Sequence, residues 1–213
     1  MRWGKLWAMA ALVALAGSAR AAIVTYDLDI EYSGATPPAG AGPWLRATFD
    51  DGGGSGTVTM TLTTLNLVSQ EFVRFWHFNL DPTLDAANLV FSAPLKVGAF
   101  ADPTINLGTD AFQAAGDGLY DIQLAFGFAP PSDRFGAGDS VSYTITGIPT
   151  LTANSFSFLS APAGGNGPFY TAAHVQGIGP NGDNSGWVTN SPEPASLSVM
   201  TVGALALMRW RRQ

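Results

Sequence analysis

Apolar and polar residues alternate with a period of two along most of this chain. Tyr26, Leu28, Ile30 and Tyr32 alternate with Asp27, Asp29 and Glu31, and Val58, Met60 and Leu62 with Thr59, Thr61 and Thr63. Phe72, Arg74, Trp76, Phe78 and Leu80 alternate with Val73, Phe75, His77 and Asn79. Tyr120, Ile122, Leu124, Phe126 and Phe128 alternate with Asp121, Gln123 and Ala125, and Val141, Tyr143 and Ile145 with Ser142, Thr144 and Thr146. Successive side chains of a strand point to opposite faces, so each pattern predicts a half-buried antiparallel strand. Residues 151–160 and 170–178 read as two more strands. Turn signals rich in Gly, Asp and Asn separate them at 50–54, 115–118, 136–139, 164–167 and 181–184. Seven or more short strands with such turns predict an all-β fold, an antiparallel β-sandwich of jelly-roll-like kind. The one helical candidate in the body is a turn at 81–87.

The two ends break the alternation. Arg2 and Lys5 precede an apolar stretch at 6–15 and the small-residue site Ala19-Arg20-Ala21. That is the pattern of a cleaved signal peptide over 1–21. At the other end Pro192-Glu193-Pro194 precedes an uncharged run, 195–208, in which only Ser196, Ser198 and Thr201 are polar. As a helix this run is about 21 Å long, short of a hydrocarbon core of roughly 30 Å. A snorkelling Arg209 and an interfacial Trp210 would make up the difference. Arg209, Arg211 and Arg212 form a positive stop that stays cytoplasmic. The sequence thus divides into a signal peptide (1–21), a β-domain (22–184), a linker carrying the Pro-Glu-Pro triplet (185–194), and a transmembrane helix with a basic tail (195–213).

Triplet, short apolar run and terminal arginines together resemble the PEP-CTERM sorting signal of Gram-negative bacteria, a tail also found on some ice-binding proteins. Ser191 stands where that family commonly has Val, and the run holds fewer leucines. Ser155-Phe156-Ser157-Phe158, Gly164-Gly165-Asn166-Gly167, Ala172-Ala173-His174-Val175-Gln176-Gly177-Ile178 and Ser185-Gly186-Trp187-Val188 resemble segments of other PEP-CTERM proteins of unassigned function. The resemblance implies recognition and processing by an exosortase. It implies an inner-membrane anchor before processing and then a cell-surface or extracellular location. It also implies a cell envelope that contains exopolysaccharide.

Charge narrows the partners. Between Ala22 and Pro192 there are four cationic and fifteen acidic side chains, a net of −11. Nucleic acid needs basic side chains against its phosphates and is excluded as a partner. On net charge alone, an acidic polysaccharide would need a bridging cation. The chain has no cysteine, so the domain is held by its core, and thiol chemistry is excluded.

Few residues offer chemistry. The histidines are His77, in an aromatic strand on the face opposite Trp76, and His174, between Ala173 and Val175. No Gly-x-Ser-x-Gly elbow accompanies them, and the body has only Glu31 and Glu71 as glutamates. The expectation is a non-enzyme without a cofactor. Ca²⁺ would be the metal best served, by acidic loops. Asn181 with Asp183 is the first candidate ligand set, and Asp117 with Asp121 the second. Thr57, Thr59, Thr61 and Thr63 form a ladder that reads as the polar face of an edge strand. Trp44 and Trp187 adjoin turns, where a tryptophan serves either as a platform for sugar rings or as a lid over the core. The sequence therefore predicts an exported, structural or adhesive envelope or matrix protein. The alternative is a carbohydrate-binding module, with or without Ca²⁺.

Overall fold

The computed structural model describes residues 21–115 and 118–190. The first twenty residues of the expected signal peptide, the Pro192-Glu193-Pro194 triplet, the C-terminal segment with Arg209, Arg211 and Arg212, and Asp117 lie outside the described residues. Among the described residues no helix is long and apolar enough to cross a membrane.

The described chain is all-β and its strands pair antiparallel. They are β1 (Ile23–Glu31), β2 (Leu45–Asp50), β3 (Val58–Thr64), β4 (Phe72–Phe78), β5 (Val90–Phe91), β6 (Leu95–Val97) and β7 (Thr104–Gln113). Then come β8 (Gly118–Ala125), β9 (Phe135–Gly136), β10 (Ser140–Thr146), β11 (Ala161–Pro162), β12 (Thr171–Ile178) and β13 (Asn184–Asn190). One hydrogen-bonded path runs β11-β8-β4-β12-β13-β1-β2-β3-β10-β5, with β7 on β8, β9 on β4 and β6 on β10. Phe49 of β2 meets Phe78 of β4 edge-on at 5.3 Å, so the two halves of the path face each other across a core. This arrangement is consistent with a β-sandwich.

The inward residues of the alternating strands make that core. Leu28, Leu45, Phe49, Leu62, Trp76, Phe78, Leu124, Val141 and Ile145 are wholly buried. Each such side chain contributes about 1.5–3 kcal/mol on burial. Phe49 also stacks on Phe156 at 4.3 Å, and Phe126 on Phe135 at 4.5 Å. A chain of buried hydroxyls crosses the sheet. Trp76 Nε1 donates to Thr171 Oγ1 (3.0 Å), Thr171 to the His77 carbonyl (2.7 Å), and Thr189 to the Thr171 carbonyl (2.7 Å).

Three expectations need correction. Residues 151–160 are not a strand. A 3-10 turn spans Ala153–Phe156, set up by Thr152 N–H donating to the Ser155 hydroxyl (3.1 Å), and its alternating apolar residues cap the core. Residues 185–190 are not linker. They belong to β13, between β12 and β1, with Val188 and Thr189 buried. Their Ser, Gly and Asn suggest a loop, but the environment is a central strand. The third concerns the threonine ladder, which lies on β3 with β2 and β10 on either side. In the cross-strand register Thr25, Thr48, Thr61 and Ser142 form one row, so these hydroxyls belong to a broad polar face and not to an edge. The turn expected at 81–87 is present and leads into a 3-10 turn, Ala86–Asn88, capped by Asp85 accepting from Ala87 N–H (2.9 Å).

Candidate functional site

The strict alternation of β4 fails at Arg74. Phe75 to Phe78 pair with β8, whereas Phe72 and Val73 pair with β9, and the register against β12 slips between His174 and Val175. The bulge leaves Val73 in the core with Trp76 and Phe78, and sends Arg74 and Phe75 outward. Strand β8 ends at Ala125, so Phe126 and Phe128 no longer share a face. Phe126 is buried and Phe128 is 57% exposed. Gly127 makes the sharp exit feasible, because a Cβ there would lie 2.5 Å from the Asp133 carbonyl oxygen. A bridge from Gly127 to Arg134 then closes the loop, and Phe126 N–H donates to the Arg74 carbonyl (3.0 Å) beside it.

These deviations build a ladder of planar side chains across the outer face of β4, β12 and β13. The Arg74 guanidinium carbon lies 5.0 Å from the Phe128 ring centre and 4.6 Å from that of Phe75. Phe75 is parallel to His174 at 6.3 Å, and His174 stacks on Trp187 at 4.8 Å. Trp187 meets His77 at 5.4 Å, and His77 meets Tyr120 at 5.5 Å. A second guanidinium, Arg134, lies 4.3 Å from the Phe72 ring centre. Arg74 donates to the Phe126 carbonyl and Arg134 Nε to the Phe128 carbonyl (2.9 Å), so both arginines grip the loop that presents Phe128. Two shallow cavities flank Arg134. One of about 300 Å³ is lined by Phe72, Phe128, Gln176, Asp183 and Ser185, and one of about 360 Å³ by Gln70, Glu71 and Asp139.

The histidines sit inside the ladder. The amide of Asn106 donates to Gln123 Oε1 (3.0 Å), and the Gln123 amide donates to His77 Nε2 (2.9 Å). The His77 proton therefore sits on Nδ1, which has no partner. Burial, reinforced by neighbouring His174, pushes His77 down to about 3. Burial and then Arg74 push His174 down as well. Among the described residues no hydrogen bond joins either histidine ring to a carboxylate or hydroxyl, so no orienting acid of a Ser-His-Asp arrangement is seen there.

The other candidates are placed as follows. Trp44 is buried at 8% exposure with Nε1 donating to the Gly40 carbonyl (2.6 Å), which makes it a lid over the core and not a sugar platform. Trp187 is a half-buried rung with a face against His174. The exposed ring is Phe128, which the alternation had placed inside with Phe126. Only the doublet Pro130-Pro131 after Gly127 signalled that the strand stops short. Asp121 is buried and its oxygens serve the fold. Its oxygens accept from Leu80 N–H and Asp110 N–H, both at 2.8 Å. Asn181 and Asp183 are exposed in the β12–β13 turn, and Asp183 shares its cavity with the cation Arg134. Among the described residues no three His, Cys, Asp or Glu side chains gather as a metal site. In comparisons with known proteins, no family model, no curated protein and no solved structure matches this chain.

Proposed function

We propose that this chain is an exported, tail-sorted component of the cell envelope or its exopolysaccharide matrix, structural or adhesive and non-catalytic. Its β-domain, a jelly-roll-like sandwich, would hold glycan on the Phe128 ledge. The terminal motif resembling a PEP-CTERM signal supports the export and sorting, with an exosortase as partner and membrane attachment before processing. The observation that carries the binding reading is the exposed Phe128 ring, with the Arg74 guanidinium against it and Arg134 bonded to its carbonyl, beside a cavity of about 300 Å³. An aromatic ring offers its face to the C–H surface of a sugar, and fixed N–H donors beside it meet hydroxyls. Trp187 supports the ledge from within the ladder.

Affinity electrophoresis of the full-length protein tests this, in gels containing envelope polysaccharide or a neutral glucan. Retardation that disappears in Phe128→Ala, but persists in Thr144→Ala on the opposite sheet face, is the expected result. Free migration in every polysaccharide would rule out the glycan reading and leave a purely structural role.

A further inference from the structure

The domain has four cationic side chains, and two are neutralised: Arg46 pairs with Asp27 at 2.6 Å and Lys96 with Asp102 at 2.5 Å. Arg74 and Arg134 form no ion pair among the described residues, yet both converge on Phe128. Two guanidinium groups without a carboxylate partner among the described residues, both bonded to one loop, are out of keeping with a domain of net −11. Among the described residues each spends one hydrogen bond, to a loop carbonyl, out of about five N–H donors. Each is also fixed by stacking, Arg74 on Phe75 and Phe128 and Arg134 on Phe72, so little side-chain freedom remains to be lost on binding. Planar donor forks match a carboxylate better than any other common anion except phosphate.

We propose that this site selects acidic glycans, with a uronate ring lying on Phe128 and its carboxylate held by Arg74 and Arg134. The inference rests on the glycan reading above and names the class of sugar. It also replaces the expectation drawn from net charge, since the tertiary structure supplies local cations and no bridging metal is required. Asp183 lines the same cavity without pairing to Arg134, so it repels a carboxylate from that wall and directs it to the Phe128 side.

The full-length protein, with and without EDTA, is titrated with polygalacturonate, with the same polymer after its carboxyls are reduced to neutral galactose units, and with polyglutamate. Polygalacturonate should bind at least ~10-fold more tightly than the reduced polymer. The gap should shrink between about 50 and about 500 mM NaCl as screening strengthens. Arg134→Gln should remove most of the gap, weakening polygalacturonate far more than the reduced polymer. Arg74 also anchors Phe126, so the wild-type salt series and reduced polymer decide the matter should Arg74→Gln fail to fold. Equal affinity for the charged and reduced polymers overturns the carboxylate assignment but leaves the glycan reading standing. Polyglutamate binding as tightly as polygalacturonate overturns the sugar assignment in favour of an acidic-peptide site. Loss of binding on adding EDTA overturns direct guanidinium contact. Binding to neither polysaccharide removes both this inference and the function it rests on.

Discussion

His77 shows how one residue links packing to acid sensitivity. Its ring is 1% exposed, sits among Phe75, Tyr120 and Trp187, and has no acceptor for a second proton. The folded state disfavours its charged form, holding it near 3 against an ordinary 6.5. The stability it confers is therefore full above about pH 6.5 and is lost progressively as pH falls towards 3. Between pH 6.5 and 5 this amounts to about 2 kcal/mol, at about 1.4 kcal/mol per unit. His174, lowered for the same reason, acts in the same direction. Urea midpoints at both pH values should fall markedly for the wild type and less for His77→Asn, which keeps an acceptor for Gln123. Identical pH slopes in the two proteins would show that His77 is not the sensor.

At the scale of elements, two devices keep the ladder in register. Asp121 on β8 ties the positive-φ residue Asp110 in β7 to Leu80 beyond β4, through two 2.8 Å bonds. Asp121→Ala leaves two N–H groups without their acceptor and should cost about 2–4 kcal/mol, read by urea denaturation. Gly177 sits at the slip between β12 and β13 with φ +76°, and a Cβ there would stand 2.2 Å from the Gln70 carbonyl oxygen. Gly177→Ala should destabilise by about 1–3 kcal/mol and disturb the cavity below Arg134. A melting temperature equal to the wild type's would mean that the backbone yields there more easily than its contacts suggest.

At the scale of the whole molecule, the two outer faces differ in kind. One is a hydroxyl surface with Thr61 bonded to Ser142 at 2.9 Å, and the other carries the aromatic ladder and its cations. Glycan held on the second face, as proposed, would leave the first free for solvent. The sorting proposal is tested at this scale by intact mass from the native host, with and without its exosortase. Loss of the segment after Pro192-Glu193-Pro194 only when the enzyme is present is the expected outcome. An intact C-terminus in both strains would make the tail a plain anchor, and the matrix reading would lose its main support.

The period-two pattern by itself determined that the body is built of antiparallel strands, and it placed Trp76, Phe78, Leu62 and Val141 in the core, because burial on one face of a pleated strand imposes that spacing. It failed where the strand ceased to be regular. A bulge at Arg74 and an early exit at Gly127 turned Arg74 and Phe128 outward, and nothing in a two-residue period encodes a slip of one. Net charge likewise counted the arginines but could not locate them. Which cations find carboxylates and which remain unpaired around one exposed ring depends on contacts between residues 74, 128 and 134, far apart in the chain. Only the folded sheet brings those together.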